Sequence, residues 1–177
     1  MRNNLPVIDR EVPFPNVPNT RIISVTDTKG IITDVNQTFV DMFLKNAKES
    51  PKQIAVADAY GSITYRELDR DSDAVAAYLL SEGVKPDQFV AIKIGRDKEF
   101  IIAVLGIMKA GAAYVPIDTE YPEDRIRYMI DDSEAEVVLT KDIIRMVTLA
   151  SSEAEQINLA RPEGNAYMIY TSGSTGR

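Results

Sequence analysis

The chain has 177 residues with 45% hydrophobic side chains, and its 27 acidic against 20 basic residues give a formal net charge of −7. One ordinary domain core fits this length, while the acidic balance, without any block of Lys or Arg, argues against nucleic acid as a partner. Cysteine and histidine are both absent, which excludes disulfides, thiolate nucleophiles, Ser-His triads and zinc sites built on imidazole or thiolate.

Residues 1–20 are predicted to be an extended leader, because four prolines and few periodic apolar residues argue against a packed element. The start of the chain leads into no signal-peptide core. No apolar run approaches the roughly 18 residues that span a bilayer. We therefore expect a cytoplasmic protein with no membrane partner.

Residues 21–36 are predicted to form a β-hairpin, because two β-branched runs flank a turn at residues 27–30. This hairpin resembles the opening of the PAS sensor domains found in energy-taxis receptors. The resemblance rests on a Thr-Asp pair that leads into the turn, on Gly30, and on Val35-Asn36 after the second strand. It ends between residues 36 and 43, so no complete cofactor pocket can be built from it. A lone hairpin is marginal in water and either packs on the following domain or stays loose.

A change of pattern after residue 36 predicts a helix. Thr38 can act as its N-cap, and Phe39, Met42 and Phe43 follow at helical spacing. The helix is expected to end just before Pro51, because proline cannot continue it. We interpret it as a surface helix.

A second hairpin is predicted between residues 54–57 and 62–64. Thr64 and Glu67, three residues apart, match a capping box at the start of the next helix. Gly83 is expected to end that helix. Its predicted apolar stripe consists of Leu68, Val75, Ala76, Leu79 and Leu80.

Strands and helices then alternate up to residue 149. Strands are predicted at residues 89–94, 113–117 and 137–139, and helices at residues 99–109, from Pro122 onward and at 141–149. Strand-helix-strand units with short loops form right-handed crossovers and a parallel sheet. The predicted fold class is therefore α/β: a partial doubly wound, mainly parallel sheet flanked by helices and preceded by short β-hairpins.

The end of the helix at residues 99–109 has two features that are explained by architecture. Gly111 is predicted to cap the helix, and the small side chains of Ala112 and Ala113 permit close approach of the helix to the sheet. Lys109 is interpreted as a solvated or dipole-compensating lysine of the last turn rather than a ligand.

A long polar connection at residues 150–165 leads to a short apolar run and then to a loop of hydroxyls and glycines. Glycines let successive N–H groups converge on phosphate oxygens, and hydroxyls add further donors. A flexible terminal linker is the alternative interpretation. The spacing and the lysine of a Walker loop are absent. The candidate anion-binding residues are Thr171, Ser172, Gly173, Ser174, Thr175 and Gly176.

The run at residues 166–176 resembles the phosphate-loop signature of acyl- and aminoacyl-adenylate-forming enzymes, in the form used by nonribosomal peptide synthetase adenylation domains. Residues 63–68 resemble the first core motif of that family, and residues 108–118 resemble its second. In the family the signature continues with a proline, a lysine and a glycine, whereas this chain ends at Arg177. The resemblance covers residues 37–177, which divides the chain into a leader (1–20), a PAS-like hairpin (21–36) and the N-terminal part of an adenylation domain (37–177).

The resemblance implies activation of an amino acid or other carboxylic acid with ATP and Mg²⁺, release of pyrophosphate, and transfer of the acyl group to a carrier protein. It also implies that residues 171–176 hold the outgoing pyrophosphate, and it assigns no catalytic residue and no metal ligand. We expect this chain to be inactive by itself and to hold no cofactor. Two alternatives stay open: a PAS-like sensing or interaction module fused to an adenylation-domain remnant, and a recombined or prematurely terminated reading frame.

Overall fold

The computed structural model describes residues 10–13, 21–26, 31–33, 36–151 and 155–170, with side chains from residue 38 onward. The five described helices are α1 (Asn36–Glu49), α2 (Tyr65–Ser81), α3 (Lys98–Lys109), α4 (Glu123–Ser133) and α5 (Lys141–Ala150). The described strands are β1 (Arg10–Pro13), β2 (Arg21–Thr26), β3 (Ile31–Thr33), β4 (Ile54–Asp58), β5 (Gly61–Thr64), β6 (Phe89–Lys93), β7 (Ala113–Pro116), β8 (Val137–Thr140) and β9 (Asn165–Met168).

Short polar side chains fix the starts of three helices. The capping box of α2 is confirmed: Glu67 N donates to Thr64 Oγ1 over 3.3 Å, and Thr64 N donates to Glu67 Oε2 over 2.7 Å. The hydrogen bonds that Thr64 N and the Thr64 hydroxyl donate to Glu67 Oε2 lower the pKa of the Glu67 carboxyl. Asp97 caps α3 and Thr140 caps α5 in the same way. Each cap satisfies an N–H group that has no partner within its own helix.

The sheet order confirms the predicted fold class. Seven strands form one sheet in the order β1-β2-β3-β9-β7-β6-β8, and β4 and β5 form a separate antiparallel pair. Strand β6 pairs in parallel with both β7 and β8, so the chain crosses through α3 to one side of β6 and through α4 to the other. That reversal of direction is the mark of a doubly wound sheet.

The first three strands extend this sheet on one side. Strand β2 pairs antiparallel with β1 and with β3, and β3 pairs antiparallel with β9. The predicted pairing within residues 21–36 is therefore present, although its turn at residues 27–30 lies outside the described residues. The hairpin packs on the following domain by adding strands to its sheet.

Two hydrophobic cores cover opposite faces of the sheet. Helices α1, α2, α3 and α5 share the larger core, to which β6 contributes Val90 and Ile92. Helix α4 covers the other face with Ile126 and Met129, which pack against Ala91 of β6. The alternation of Val90, Ala91 and Ile92 between the two cores follows from the two-residue period of a strand.

Helix α3 approaches α2 closely because residue 106 is glycine. A Cβ atom at Gly106 would lie 2.6 Å from Val75 Cβ and 3.0 Å from Ser72 O. A bare backbone at this point lets the two helices pack with almost the whole of α3 buried.

Helix α1 begins and packs differently from the prediction. It starts at Asn36 and includes Thr38, so Thr38 as N-cap is wrong, whereas the end before Pro51 is confirmed. The buried side chains are Val40, Phe43 and Ala47, at positions i, i+3 and i+7, while Phe39 is 43% exposed. The buried face is rotated by about one residue from the predicted one. The prediction relied on the large side chains of Phe39 and Met42 and did not include the small Ala47.

Helix α2 shows a similar difference at one position. Leu68, Val75, Ala76 and Leu79 are buried as predicted, but Leu80 is 37% exposed. Leu80 lies next to the buried stripe and continues an apolar run without facing the core. No helix in the described part of the chain is long and apolar enough to cross a membrane.

Candidate functional site

A cleft of about 550 Å³ opens at the carboxyl ends of the parallel strands. The chain leaves β6, β7 and β9 at this edge. The segments that follow β6 and β7 diverge there, because α3 and α4 cover opposite faces of the sheet. Ligands of doubly wound sheets bind at this position. The residues that line the cleft are Ile94, Gly95, Arg96, Phe100, Pro116, Ile117, Asp118, Thr119, Glu120, Tyr121, Met129, Ile169 and Tyr170.

The polar groups of the cleft follow directly after strands. Arg96 comes just after β6, is exposed, and is the one basic side chain among the described lining residues. Asp118 follows β7 and accepts a hydrogen bond from Glu120 N over 2.9 Å, which turns the chain towards α4. Asp118 and Glu120 make the lining acidic apart from Arg96, so an anionic ligand depends on Arg96 and on backbone N–H groups.

Tyr170 fixes the point at which the chain leaves β9. Its hydroxyl donates to Asp132 Oδ2 over 2.7 Å and to Met129 O over 3.3 Å, and both acceptors belong to α4. Its ring packs edge-on against Tyr128, with 6.3 Å between the ring centroids. Burial and the neighbouring Asp132 carboxylate both raise the pKa of the Tyr170 hydroxyl. The backbone just before residue 171 is thus tied to α4 at the wall of the cleft.

The predicted phosphate-binding residues Thr171, Ser172, Gly173, Ser174, Thr175 and Gly176 lie outside the described residues. The structure describes the chain up to Tyr170, and both Ile169 and Tyr170 line the cleft. The predicted loop therefore starts from a residue of the cleft wall. Arg96 and Asp118 were not identified from the sequence, although their positions immediately after predicted strands were an available signal.

The interpretation of Lys109 as a solvated lysine is wrong. Its side chain is fully buried, and Nζ donates to Asp69 Oδ1 over 2.6 Å, to Asp73 Oδ1 over 2.7 Å and to Asp69 O over 3.1 Å. The Phe43 ring lies beneath the ammonium group, with its centroid 5.5 Å from Nζ. A lysine in the last turn of a helix is ordinarily exposed; this one is retained in the interior because all three of its donors have acceptors.

Carboxylates elsewhere in the described residues are not arranged for a metal ion. Within the described ranges, no group of three or more Asp or Glu side chains is placed to bind one.

Comparison with protein families gives one match that covers most of the chain. The family described as AMP-binding enzyme matches residues 43–177. Polyketide synthase PksN of Bacillus subtilis (strain 168) is 36% identical over an alignment of 182 residues, which covers 91% of this chain. Bacitracin synthase 3 of Bacillus licheniformis is 41% identical over 154 residues that cover 80% of it. The chain spans only 3% and 2% of the lengths of these two proteins.

The solved structures agree on the fold. The N-terminal subdomain of NpsA from Klebsiella oxytoca, in complex with anthranilyl-AMSN, matches with a TM-score of 0.68 and 29% identity. The match covers 78% of this chain and 38% of that one. VinN in complex with 3-methylaspartate shares the fold, with a TM-score of 0.67.

The alternative of a PAS-like module gains no support from these matches. Residues 37–177 are too few to account for coverage of 91% of the chain, so the alignment with PksN includes part of the segment before residue 37.

Proposed function

Because the chain belongs to the AMP-binding enzyme family, we propose that it supplies the phosphate-binding part of an adenylation domain of the nonribosomal peptide synthetase type. The complete domain would activate an amino acid or another carboxylic acid with ATP and transfer the acyl group to the thiol of a carrier protein. The similarity to bacitracin synthase 3 supports the synthetase context. A fused adenylation and carrier-protein structure that includes NpsA, also similar to this chain, supports the choice of partner.

One observation carries this proposal. The run of hydroxyls and glycines follows Tyr170, and Tyr170 lies in the wall of the cleft at the carboxyl ends of β6, β7 and β9. Polyphosphates bind to glycine loops in this position of a doubly wound sheet, because converging N–H groups face the ligand there. We assign the outgoing pyrophosphate to Thr171, Ser172, Gly173, Ser174, Thr175 and Gly176.

The reaction requires charge stabilisation more than proton transfer. A carboxylate oxygen of the substrate attacks the α-phosphorus of ATP, the bond to the bridging oxygen of the β-phosphate breaks, and pyrophosphate leaves with the electron pair. A carboxylic acid is already ionised at pH 7, so the attack needs no general base. Hydrogen-bond donors around the leaving group stabilise the charge that develops on it.

Two groups would oppose the negative charge of the ligand in this part of the domain. Mg²⁺ enters as part of the substrate Mg-ATP. Arg96 is the basic side chain in the described lining of the cleft, which also includes Asp118 and Glu120. With a net charge of −7 on the whole chain, binding of a polyphosphate to these 177 residues alone is weak.

We further propose that the 177 residues by themselves do not catalyse adenylation, since they correspond to only 38% of the solved NpsA chain. Calorimetry with Mg-ATP and an assay of labelled pyrophosphate exchange into ATP test this directly. We expect weak or undetectable binding and no exchange. Amino-acid-dependent exchange above background would contradict the proposed incompetence while supporting the proposed reaction.

The assignment of the loop needs a longer polypeptide that also carries the residues following the phosphate loop in the family. There, Gly173→Ala should weaken binding of Mg-ATP, because an added Cβ keeps the backbone away from the phosphates. Gly95→Ala is the matched control: Gly95 also lines the cleft, but a Cβ there meets no atom within 4 Å. Equal losses in the two variants would refute the assignment.

A further inference from the structure

Strand β9, which leads to the phosphate loop, is weakly defined by its own pairing. It spans four residues, and its parallel register with β7 consists of the single pair Tyr114 and Tyr167. On its other side, the pairing with β3 shifts between Ile32 and Thr33. A slip of one residue would move the strand by about 3.3 Å and exchange its two faces. Contacts outside the pairing of β9 therefore help to set its position along its own axis.

The connection before β9 is held at the amino end of the sheet by three hydrogen bonds that its backbone N–H groups donate. Ile157 N donates to Asp73 Oδ1 over 3.1 Å, Leu159 N donates to Lys109 O over 2.7 Å, and Asn165 N donates to Asp87 Oδ1 over 3.0 Å. These acceptors belong to α2, to the end of α3 and to the turn before β6. Three fixed points within nine residues leave the connection little freedom to slide.

Gly111 makes the middle contact possible. Its φ is +75°, and a Cβ atom at this position would lie 2.7 Å from Leu159 O. The backbone of the connection thus lies directly against the end of α3, where only glycine leaves room. A side chain at residue 111 would push Leu159 away from Lys109.

The acceptor for Ile157 depends on the buried lysine. Asp73 Oδ1 receives both Lys109 Nζ and Ile157 N, and the side chain of Asp73 is almost fully buried. Burial raises the pKa of the Asp73 carboxyl, while the bonds from Lys109 and Ile157 lower it. A buried carboxylate of this kind needs a cationic partner to stay ionised and in place.

We propose that Lys109 is a positioning residue: by holding Asp73, it anchors the connection at Ile157 and so contributes to the axial position of β9, the strand that leads to Tyr170 at the wall of the cleft. The consequence for phosphate binding rests on the proposed function. The anchoring itself does not, because it concerns only contacts within the described chain.

A paired replacement separates anchoring from general stability. In Lys109→Met/Asp73→Leu both charges are replaced by apolar side chains of similar size, which restores stability in other buried ion pairs. Asp69 is 25% exposed and can remain hydrated. Ile157 N–H, however, has no acceptor in this variant. Lys93→Met serves as the control, since it removes one lysine whose partner is Glu123 and touches no part of the connection.

The measurement is amide hydrogen exchange combined with urea unfolding on the 177-residue chain. In the paired variant we expect the urea midpoint to recover most of the loss seen in Lys109→Met, while the amides of residues 157–168 still exchange at least tenfold faster than in the wild type. Asp73→Asn keeps an oxygen that can accept from Ile157, so protection there should stay within about threefold of the wild type.

Two outcomes would overturn the proposal. Protection of residues 157–168 that returns together with the urea midpoint would make the ion pair a contributor to stability alone. Exchange in this segment that is equally fast in Lys93→Met would show that the loss of any lysine has the same effect. Either result leaves the proposed adenylation activity untouched, because neither measurement involves ATP.

Discussion

The two ends of the parallel strands have opposite physical characters. At the amino end, buried charges and backbone hydrogen bonds join α2, α3 and the connection to β9, with Lys109 fully buried at the centre. At the carboxyl end, Arg96 and Asp118 are exposed beside an open cleft. The amino end fixes the relative positions of the strands, and the carboxyl end leaves polar groups available to a ligand. Substitutions should therefore cost stability at the first end and binding at the second.

Two lysines give the largest expected contrast between these ends. Lys109→Met should lower the free energy of unfolding by about 3–5 kcal/mol, because it leaves the buried carboxylate of Asp73 without a cation. Lys93, at the carboxyl end of β6, is 30% exposed and lies 3.4 Å from Glu123, so Lys93→Met should cost at most about 1 kcal/mol. Urea titration of both variants measures the difference. Similar losses would remove the distinction between the two ends.

The packing of α2 on α3 gives the next effect. Gly106→Ala should lower the free energy of unfolding by about 1–3 kcal/mol, since its Cβ would lie 2.6 Å from Val75 Cβ. Val75→Ala keeps Cβ but removes Cγ1, which would also lie 2.6 Å from the added atom, so the double variant should lose somewhat less than the sum of the two single losses. A double-mutant cycle in urea tests this coupling. Simple additivity would show that the helices move apart instead.

Tyr170 provides a smaller effect at the carboxyl end. Tyr170→Phe removes the hydrogen bonds to Asp132 and Met129 O and should cost about 1 kcal/mol at pH 7. Tyr128→Phe is the matched control, because the bond from Tyr128 to Asp132 is long at 3.4 Å and Tyr128 is half exposed. If the control lost as much stability as Tyr170→Phe, the hydrogen bonds from Tyr170 to α4 would not explain the loss.

The contribution of Tyr170 to stability should depend on pH. The pKa of Tyr170 is raised in the folded state, so the stability associated with its neutral form is present below about pH 10, the pKa of free tyrosine, and is lost as the pH rises through the folded value. The difference in the free energy of unfolding between the wild type and Tyr170→Phe should therefore shrink above about pH 10. Urea midpoints between pH 8 and pH 11 measure this, and a constant difference would contradict it.

Arg96 should give the smallest change in stability. Arg96→Ala is expected to alter the free energy of unfolding by less than about 0.5 kcal/mol, since Arg96 is exposed and has no ion-pair partner among the described residues. In a longer polypeptide that binds Mg-ATP, the same variant should bind it more weakly, because Arg96 is the one basic residue in the described lining of the cleft. A large loss of stability would place Arg96 with the structural residues of the amino end.

Local patterns in the sequence predict most of the elements. The capping box at Thr64 and Glu67, the glycine after α3 and four of the five apolar positions predicted for α2 each depend on residues close in sequence, and the structure confirms them. Alternation of strands and helices predicts the parallel sheet for the same reason. The positions of these elements needed no information from distant parts of the chain.

Local patterns of this kind could not predict contacts between segments that are distant in sequence. The burial of Lys109 depends on Asp69 and Asp73 in a different helix, and a helical lysine gives no sign of which partners the fold will bring to it. The addition of β3 beside β9 likewise depends on segments at opposite sides of the sequence. In the candidate site, composition led to the prediction of an anion-binding loop at residues 171–176, which stays a prediction. Arg96 and Asp118 became recognisable only when the strand ends were placed side by side.

The pairing of β3 with β9 has a consequence for how the chain is made. Residues 31–33 leave the ribosome long before residues 165–168. At 5–20 residues per second, the interval is on the order of ten seconds. During that time β3 has an open edge, which can pair with the edge of another nascent chain. Closing so distant a contact is also slow for reasons of chain entropy. Synthesis is thus a stage at which this topology leaves the edge of β3 without its partner β9.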